Sequence, residues 1–218
     1  MPDTSARLLI VDDEPLIRMS MLHVLTEIGY SARAAVDGFS ALLEIRKEVP
    51  DILVSDLSMP GMSGFELLSV VRRRFPAIKV IAMSGAFSGE EVPSGVAADA
   101  FYQKGSSIVA LLRLMETLPE MKRYASPSSS QDEPVWIHRD SHDLSPDAYV
   151  TICCPECLRT FPQAVGAGYL KRKTECIYCR SSIYYAIVQP EDRMPLQAFQ
   201  RTASVSMPIS QSATNLSN

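Results

Sequence analysis

The sequence predicts an α/β protein, in which a doubly wound domain on a five-stranded parallel sheet precedes a small cysteine-rich β module. Between residues 7 and 123, short apolar runs alternate with helical patterns, as in right-handed βαβ units. A segment rich in serine, proline and acidic residues then breaks this pattern. All five cysteines follow it, between Cys153 and Cys179. With 218 residues and 46% hydrophobic content, the chain is long enough for one domain or two.

The first domain, residues 5–123, is predicted from runs of strand character that alternate with segments of helical period. The predicted strands are Leu8–Val11, Ser31–Ala35, Ile52–Asp56, Val80–Met83 and Ala100–Tyr102. The predicted helices are Pro15–Ile28, Gly38–Lys47, Gly64–Phe75 and Ser106–Leu118. A further helix between Phe87 and Asp99 should be short or frayed, because this segment contains glycines and a proline. We expect the run Arg72-Arg73-Arg74 to be a solvated helix C-terminus.

Acidic side chains follow two of these strands. Asp56 ends the run that begins at Ile52 and precedes a Ser-Met-Pro-Gly turn, whereas Asp12 and Asp13 follow the run Leu8–Val11. Taken alone, Asp56 could equally cap the turn or the next helix. Two strand ends of one parallel sheet can bring such carboxylates together at the edge where open α/β sheets bind ligands. We therefore predict an acidic site at this edge.

Four groups of residues occur in order, each at the end of a predicted strand. They are Asp12-Asp13, Asp56 followed by Met59-Pro60 and Gly64, Ser84 with Gly85 behind it, and Lys104. Together they resemble the receiver domain of two-component response regulators, over residues 5–120. This resemblance implies a flavodoxin-like, doubly wound sheet and a sensor histidine kinase or phosphotransfer protein as partner.

The resemblance also implies a phosphorylation site that uses Mg²⁺. Asp56 would accept the phosphoryl group as an acyl phosphate. Asp13, Asp56 and the Ser58 carbonyl would hold Mg²⁺, and Asp12 would support the metal through water. Lys104 would place positive charge on the phosphoryl oxygens. The chain would catalyse only its own phosphorylation and dephosphorylation, so we do not expect an enzyme that acts on other substrates.

A conformational switch is a further implication of the resemblance. Ser84 would hydrogen-bond the phosphoryl group and draw its loop inward, and Phe101 would rotate into the vacated space. One position departs from the family pattern, since the lysine is usually followed by a proline in a cis peptide and here Lys104 is followed by Gly105. We expect a less rigid loop at this point.

Residues 124–148 are predicted to be an acidic Ser/Pro linker. Trp136 is the exception, and it either docks against one of the domains or belongs to a strand of the next module. His138 and His142 have the spacing of helical neighbours, but better metal ligands follow downstream. After the second module, residues 189–218 are predicted to be a disordered tail.

Two C-x2-C pairs lie 18 residues apart and predict a tetrahedral zinc site. Its ligands would be Cys154, Cys157, Cys176 and Cys179. The module, residues 149–188, looks like a zinc ribbon with strands Val150–Cys153 and Ser182–Val188, and its Zn²⁺ would be structural because four protein ligands leave no open position. A redox role for the pairs is the alternative. Cys153 is expected to be a buried free thiol.

The combined interpretation is a response regulator whose receiver is tethered to a zinc-ribbon output or docking module, each with its own core. The run Lys171-Arg172-Lys173 leaves open a nucleic-acid-binding regulator, and a metal-dependent phosphate hydrolase is a second alternative. The chain has a net charge of −4, no apolar run as long as a membrane span and no signal-like N-terminus. We therefore expect a cytoplasmic protein.

Overall fold

The computed structural model describes residues 6–85, 96–118, 134–138, 149–164 and 172–188. The first domain contains a five-stranded parallel sheet in the order β2-β1-β3-β4-β5. Its strands are β1 (Arg7–Val11), β2 (Ser31–Ala35), β3 (Ile52–Asp56), β4 (Lys79–Ser84) and β5 (Ala100–Gln103). The strand order reverses between β1 and β3, so the ends of these two strands border the crevice where doubly wound sheets bind ligands.

Helices cover both faces of this sheet. They are α1 (Pro15–Glu27), α2 (Gly38–Lys47), α3 (Gly64–Arg74) and α4 (Ile108–Thr117). Alternate strand residues enter two separate buried clusters, because successive side chains of a strand point to opposite faces. Residues such as Leu9 and Leu53 join the cluster that contains α2 and α3, whereas Leu8 and Val54 join the cluster that contains α1 and α4.

The predicted elements of the first domain are confirmed to within two residues at every end. The largest difference is at α4, which begins at Ile108 because the Ser107 hydroxyl caps the helix by accepting a hydrogen bond from the backbone N–H of Val109 at 3.2 Å. Of the segment Phe87–Asp99, residues 96–99 are not helical, and the remainder lies outside the described residues.

The second module consists of short strands in two small sheets. We call the described residues 134–138, 149–164 and 172–188 the cysteine module. Strands β7 (Tyr149–Cys153) and β8 (Thr160–Ala164) form an antiparallel pair. A three-stranded sheet has the order β6-β10-β9 and contains β6 (Val135–His138), β9 (Arg172–Glu175) and β10 (Ser182–Val188). The structure confirms both predicted strands and adds β6, β8 and β9.

Strand β6 contains Trp136, which the sequence left either docked against a domain or in a strand of the next module. It pairs in parallel with β10, and Trp136 lies opposite Ala186. Val135 and Ile137, on either side, are 2% and 4% exposed. Trp136 is therefore part of a strand of the cysteine module, although it lies in the segment predicted to be linker. The His138 side chain and His142 lie outside the described part of the chain.

The cysteine module packs against α3, and the expectation of two separate cores is wrong. One buried cluster contains Leu67 and Val71 of α3 together with Val135, Val150 and Ile152 of the module. The module therefore packs on the first domain and covers part of it.

The expectation for the arginine run at the end of α3 is correct only for Arg74, which is exposed. Arg72 is buried and pairs with Asp99 at 3.0 Å, and Arg73 pairs with Glu156 of the cysteine module at 3.4 Å. Tertiary contacts, and not solvation at the negative end of the helix dipole, account for these two side chains.

None of the helices in the described residues is both long and apolar enough to cross a membrane. The predicted tail, residues 189–218, and most of the predicted linker lie outside the described residues.

Candidate functional site

The ends of β1 and β3 bring three aspartates together, as the sequence predicted. A carboxylate oxygen from each of Asp12, Asp13 and Asp56 lies within 4.8 Å of the other two. Asp12 and Asp56 are 0% and 3% exposed, and Asp13 is exposed to solvent. Mg²⁺ binds oxygen ligands at about 2.0–2.1 Å in octahedral geometry, so oxygens this close fit around one ion. The donor set is therefore suitable for Mg²⁺, with one side open to solvent.

Lys104 supplies the positive charge at this site. Its Nζ atom lies 2.6 Å from Asp56 Oδ2, and this contact is a hydrogen bond. The same atom lies 2.9 Å from Asp12 Oδ2 and forms an ion pair with it. Burial disfavours the charged ammonium, but the contacts with Asp56 and Asp12 outweigh it and raise the pKa of Lys104. The lysine thus stays charged between the two carboxylates.

Asp56 is held in place by its surroundings as well as by Lys104. Burial raises the pKa of its carboxyl group, and the hydrogen bond with Lys104 opposes that shift. The backbone N–H of Ser58 donates to Asp56 Oδ1 at 3.2 Å. The predicted role of the Ser58 carbonyl as a metal ligand remains a prediction. Oδ1 and Oδ2 of Asp56 therefore have different partners, a backbone amide and the Lys104 ammonium.

Helix α3 begins directly against Asp56. A Cβ atom at Gly64 would overlap the backbone carbonyl oxygen of Asp56, so only glycine allows this approach. The backbone N–H of Gly64 donates to Leu57 O at 3.1 Å, and the Ser63 hydroxyl accepts from the N–H of Glu66 at 3.3 Å. The first turn of α3 is therefore packed on the candidate phosphorylation site.

The other residues implied by the resemblance border the same edge. Ser84 is buried at the end of β4, and its carbonyl accepts the Lys104 N–H at 2.9 Å. Phe101 is 2% exposed, in the core below. Gly105 has a φ of +88°, which favours glycine and accounts for this residue after Lys104. The proposed movements of Ser84 and Phe101 remain predictions.

A second ligand cluster lies in the cysteine module. Its four sulfur atoms lie within 4.8 Å of one another, with Cys154 Sγ 3.6 Å from Cys179 Sγ and Cys157 Sγ 3.6 Å from Cys176 Sγ. Tetrahedral Zn²⁺ with Zn–S distances of about 2.3 Å places its sulfur ligands about 3.8 Å apart. These four cysteines therefore fit a zinc ion, and we call them the four-cysteine centre.

The two halves of the four-cysteine centre have the same backbone conformation. The N–H of Leu158 donates to Cys154 O at 2.8 Å, and the N–H of Arg180 donates to Cys176 O at 2.9 Å. Leu158 and Arg180 have φ angles of 56° and 65°. Each C-x2-C turn is thus closed by a left-handed residue just after its second cysteine, and the two turns form a matched pair of knuckles around one point.

Cys153 does not join this cluster. It is 0% exposed, and burial, with smaller effects from Glu66 and the neighbouring thiols, raises its pKa to about 12. The thiol is therefore neutral at physiological pH, as expected for the buried free cysteine predicted from the sequence.

Glu66 is a residue that the sequence interpretation missed. It is 1% exposed, and its Oε1 atom accepts a long hydrogen bond, 3.4 Å, from the backbone N–H of Cys153. Burial raises the pKa of its carboxyl group to about 8. The pattern Ser63-x-x-Glu66 is a capping-box signature, which would have assigned this side chain to its own helix N-terminus. The structure instead directs it to the cysteine module.

Comparisons with known proteins agree with the geometry of the first site. Residues 8–104 match the sequence profile of the response regulator receiver domain. The chain is 37% identical over 79 residues to the transcriptional activator protein ExaE of Pseudomonas putida, covering 35% of this chain and 37% of ExaE. It is 32% identical over 136 residues to the response regulator MprA of Mycobacterium sp. strain KMS, covering 62% of this chain and 58% of MprA.

Among solved structures, the chemotaxis response regulator CheY4 of Vibrio cholerae has 30% sequence identity and a TM-score of 0.49. The match covers 53% of this chain and 99% of CheY4. The chain spans less than two thirds of the length of both curated relatives described above. The profile match ends before the cysteine module.

Proposed function

Because residues 8–104 are a response regulator receiver domain, we propose that this protein is a two-component response regulator phosphorylated on Asp56. The phosphodonor would be a histidine kinase or a phosphotransfer protein. The observation that carries the proposal is the position of the Lys104 ammonium, 2.6 Å from Asp56 and 2.9 Å from Asp12. One cation contacts carboxylates from two strands, where phosphoryl oxygens would require positive charge.

In the proposed reaction, a carboxylate oxygen of Asp56 forms the bond to phosphorus while the bond from phosphorus to the donor imidazole breaks. Bound Mg²⁺ would supply charge neutralisation at Asp12, Asp13 and Asp56. Lys104 stabilises the phosphoryl oxygens and opposes the rise in the pKa of Asp56 that burial causes. The Ser58 N–H orients the carboxylate. The chain would act only on its own acyl phosphate, so we propose no turnover of external substrates.

For the conformational switch, we propose that Ser84 hydrogen-bonds the phosphoryl group and that Phe101 rotates into the space that the Ser84 loop vacates. The position of Ser84, buried beside the backbone of Lys104, supports this assignment.

For the second module, we propose a zinc ribbon that carries output or docking. The sulfur geometry of the four-cysteine centre and the paired knuckles support a structural Zn²⁺ with no open coordination position.

A nucleic-acid-binding regulator is the second candidate, and the cation–aromatic pairs of the cysteine module favour it. Arg159 lies 5.2 Å from the ring centroid of Tyr178, and Lys173 lies 5.7 Å from that of Tyr184. Basic groups beside partly exposed aromatic rings can bind the backbone and stack the bases of a single strand. Binding of the full chain to an oligonucleotide, with an affinity that falls steeply as salt rises, would support this candidate.

Acyl-phosphate formation tests the proposed function. We expect the full chain to take up phosphoryl groups from a small phosphodonor with Mg²⁺, Asp56→Asn to take up none, and Asp13→Ala to take up much less. Asp51→Asn is a matched control, because its carboxylate lies in an exposed ion pair with Arg7. Undiminished labelling of Asp56→Asn would contradict the assignment of the nucleophile.

A further inference from the structure

Two candidate ligand sites meet through one helix. The first turn of α3 packs against Asp56, because Gly64 lies on the Asp56 carbonyl and donates its N–H to Leu57 O. The loop after β3 and the start of α3 are therefore one structural unit. Any ligand that orders this loop also orders the first turn of α3.

The same turn of α3 contacts the strand that leads into the four-cysteine centre. Glu66 lies two residues after Gly64 and accepts the backbone N–H of Cys153, the residue immediately before the ligand Cys154. Arg73, near the other end of α3, pairs with Glu156, which lies between the ligands of the first knuckle. The first turn of α3 is thus connected to the residue just before the first C-x2-C turn, and its last turn to a residue within that C-x2-C turn.

The packing between these two ties is apolar and continuous. Val70 and Val71 of α3 are fully buried, in the same cluster as Ile137 of β6 and Ile152 of β7. Packed interiors transmit displacement because they contain few voids. A displacement of the first turn of α3 therefore also displaces the first C-x2-C turn.

We propose that the face of α3 that carries Glu66 couples the phosphorylation site to the four-cysteine centre, so that occupancy of one site strengthens binding at the other. The inference rests on the proposed phosphorylation of Asp56. We expect the coupling to be positive because Gly64 and Glu66 connect the same turn of α3 to both sites, so each ligand favours the arrangement of α3 that the other binds. By linkage the effect is reciprocal, so loss of zinc weakens binding at Asp56 by the same factor.

The test is zinc release from the full chain, followed with a chromophoric chelator. Release is measured with Mg²⁺ alone and with Mg²⁺ plus beryllofluoride, a phosphoryl analogue that binds the aspartate carboxylate. We expect beryllofluoride to slow release by about fivefold, the lower end of ordinary coupling between sites. Unchanged or faster release would overturn the proposal. Asp56→Asn is the control in which beryllofluoride should have no effect.

Two variants test the route through Glu66. Glu66→Gln keeps an oxygen that accepts the Cys153 N–H, so the slowing by beryllofluoride should persist. Glu66→Ala removes the acceptor, so the slowing should be lost. Arg73→Ala, which removes the partly exposed ion pair with Glu156, should keep most of this slowing. If beryllofluoride slowed zinc release fully in Glu66→Ala, or not at all in Glu66→Gln, Glu66 would not be the residue that couples the two sites.

The inference and the proposed function fail in different ways. A chain that forms no acyl phosphate on Asp56, or that holds no zinc, contradicts the proposed function. A chain that forms the acyl phosphate and holds zinc, but releases zinc equally fast with and without beryllofluoride, contradicts only the coupling.

Discussion

Helices α1 and α3 lie in the same domain but have very different surroundings. In α1, only Met21 and Leu25 are buried among thirteen residues, and Leu16 and Met19 are 78% and 56% exposed. In α3, seven of eleven residues are buried, and they include the polar side chains of Glu66 and Arg72. One helix has a single buried stripe, as a surface helix should, whereas the other is covered on more than one side.

The difference shows what the cysteine module does for the first domain. Residues of the sheet pack in one buried cluster with α3, and residues of β6 and β7 belong to the same cluster. A helix covered in this way is a core element of the whole molecule. We therefore expect changes at α3 to affect both modules, and changes at α1 to affect only the first domain.

Of the changes that separate α3 from α1, loss of a zinc ligand should have the largest effect on stability. We expect Cys176→Ser to unfold the cysteine module, because so small a module depends on metal binding worth about 10–16 kcal/mol. The first domain should also lose stability, since the residues of α3 that pack against the module become exposed. Its urea unfolding midpoint, measured by circular dichroism, should fall relative to wild type. An unchanged midpoint would mean that the module contributes nothing to the first domain.

Matched arginine deletions on the two helices should differ by several-fold. Arg72→Ala removes the cationic partner of Asp99, whose side chain is 0% exposed and still accepts the Val80 N–H, so we expect a loss of about 3 kcal/mol in the free energy of unfolding. Arg18→Ala on α1 removes hydrogen bonds from Arg18 to the backbone carbonyls of Asp12 and Asp13 and should cost about 1 kcal/mol. Equal losses would remove the distinction between the two helices.

Glu66 should give the stability of the protein a pH dependence of its own. Burial raises the pKa of this carboxyl group to about 8 from its usual 4.5, so the folded state binds the proton more tightly. The associated stability is fully present below pH 4.5 and is lost as the pH rises through about 8, by at most about 1.4 kcal/mol per pH unit. The Cys153 thiol, with a pKa of about 12, does not titrate in this range.

The matched variant for this prediction is Glu66→Gln, which has a similar shape and no titratable proton. We expect urea unfolding at about pH 5.5, 7 and 8.5 to show a smaller fall in stability for the variant than for the wild type. Parallel curves would show that Glu66 does not titrate with folding.

The elements of the first domain were predictable because each has a local signal. The strands are short apolar runs, and the glycine at the start of α3 is part of a recognisable sequence pattern. The acidic site and the four-cysteine centre were likewise predictable, from residues placed at strand ends and from cysteine spacing. These signals require no knowledge of how distant segments pack.

The docking of the cysteine module could not be predicted from such signals. Glu66 has the position of a capping-box residue, and Arg72 and Arg73 have the position of a solvated helix end. Their actual partners, Cys153, Asp99 and Glu156, are 87, 27 and 83 residues away in sequence. Tertiary contacts override local preference at these positions, and only the folded structure shows them.

Amide hydrogen exchange of the full chain, before and after removal of zinc by a chelator, tests most directly whether α3 is a shared core element. We predict that the amides of α3 lose protection together with those of β7, because α3 contacts the cysteine module directly, through β6 and through the hydrogen bond from Cys153 to Glu66. The amides of β1 and β2, which lie away from the cysteine module, should keep their protection. Unchanged protection of α3 after loss of protection in β7 would contradict the account.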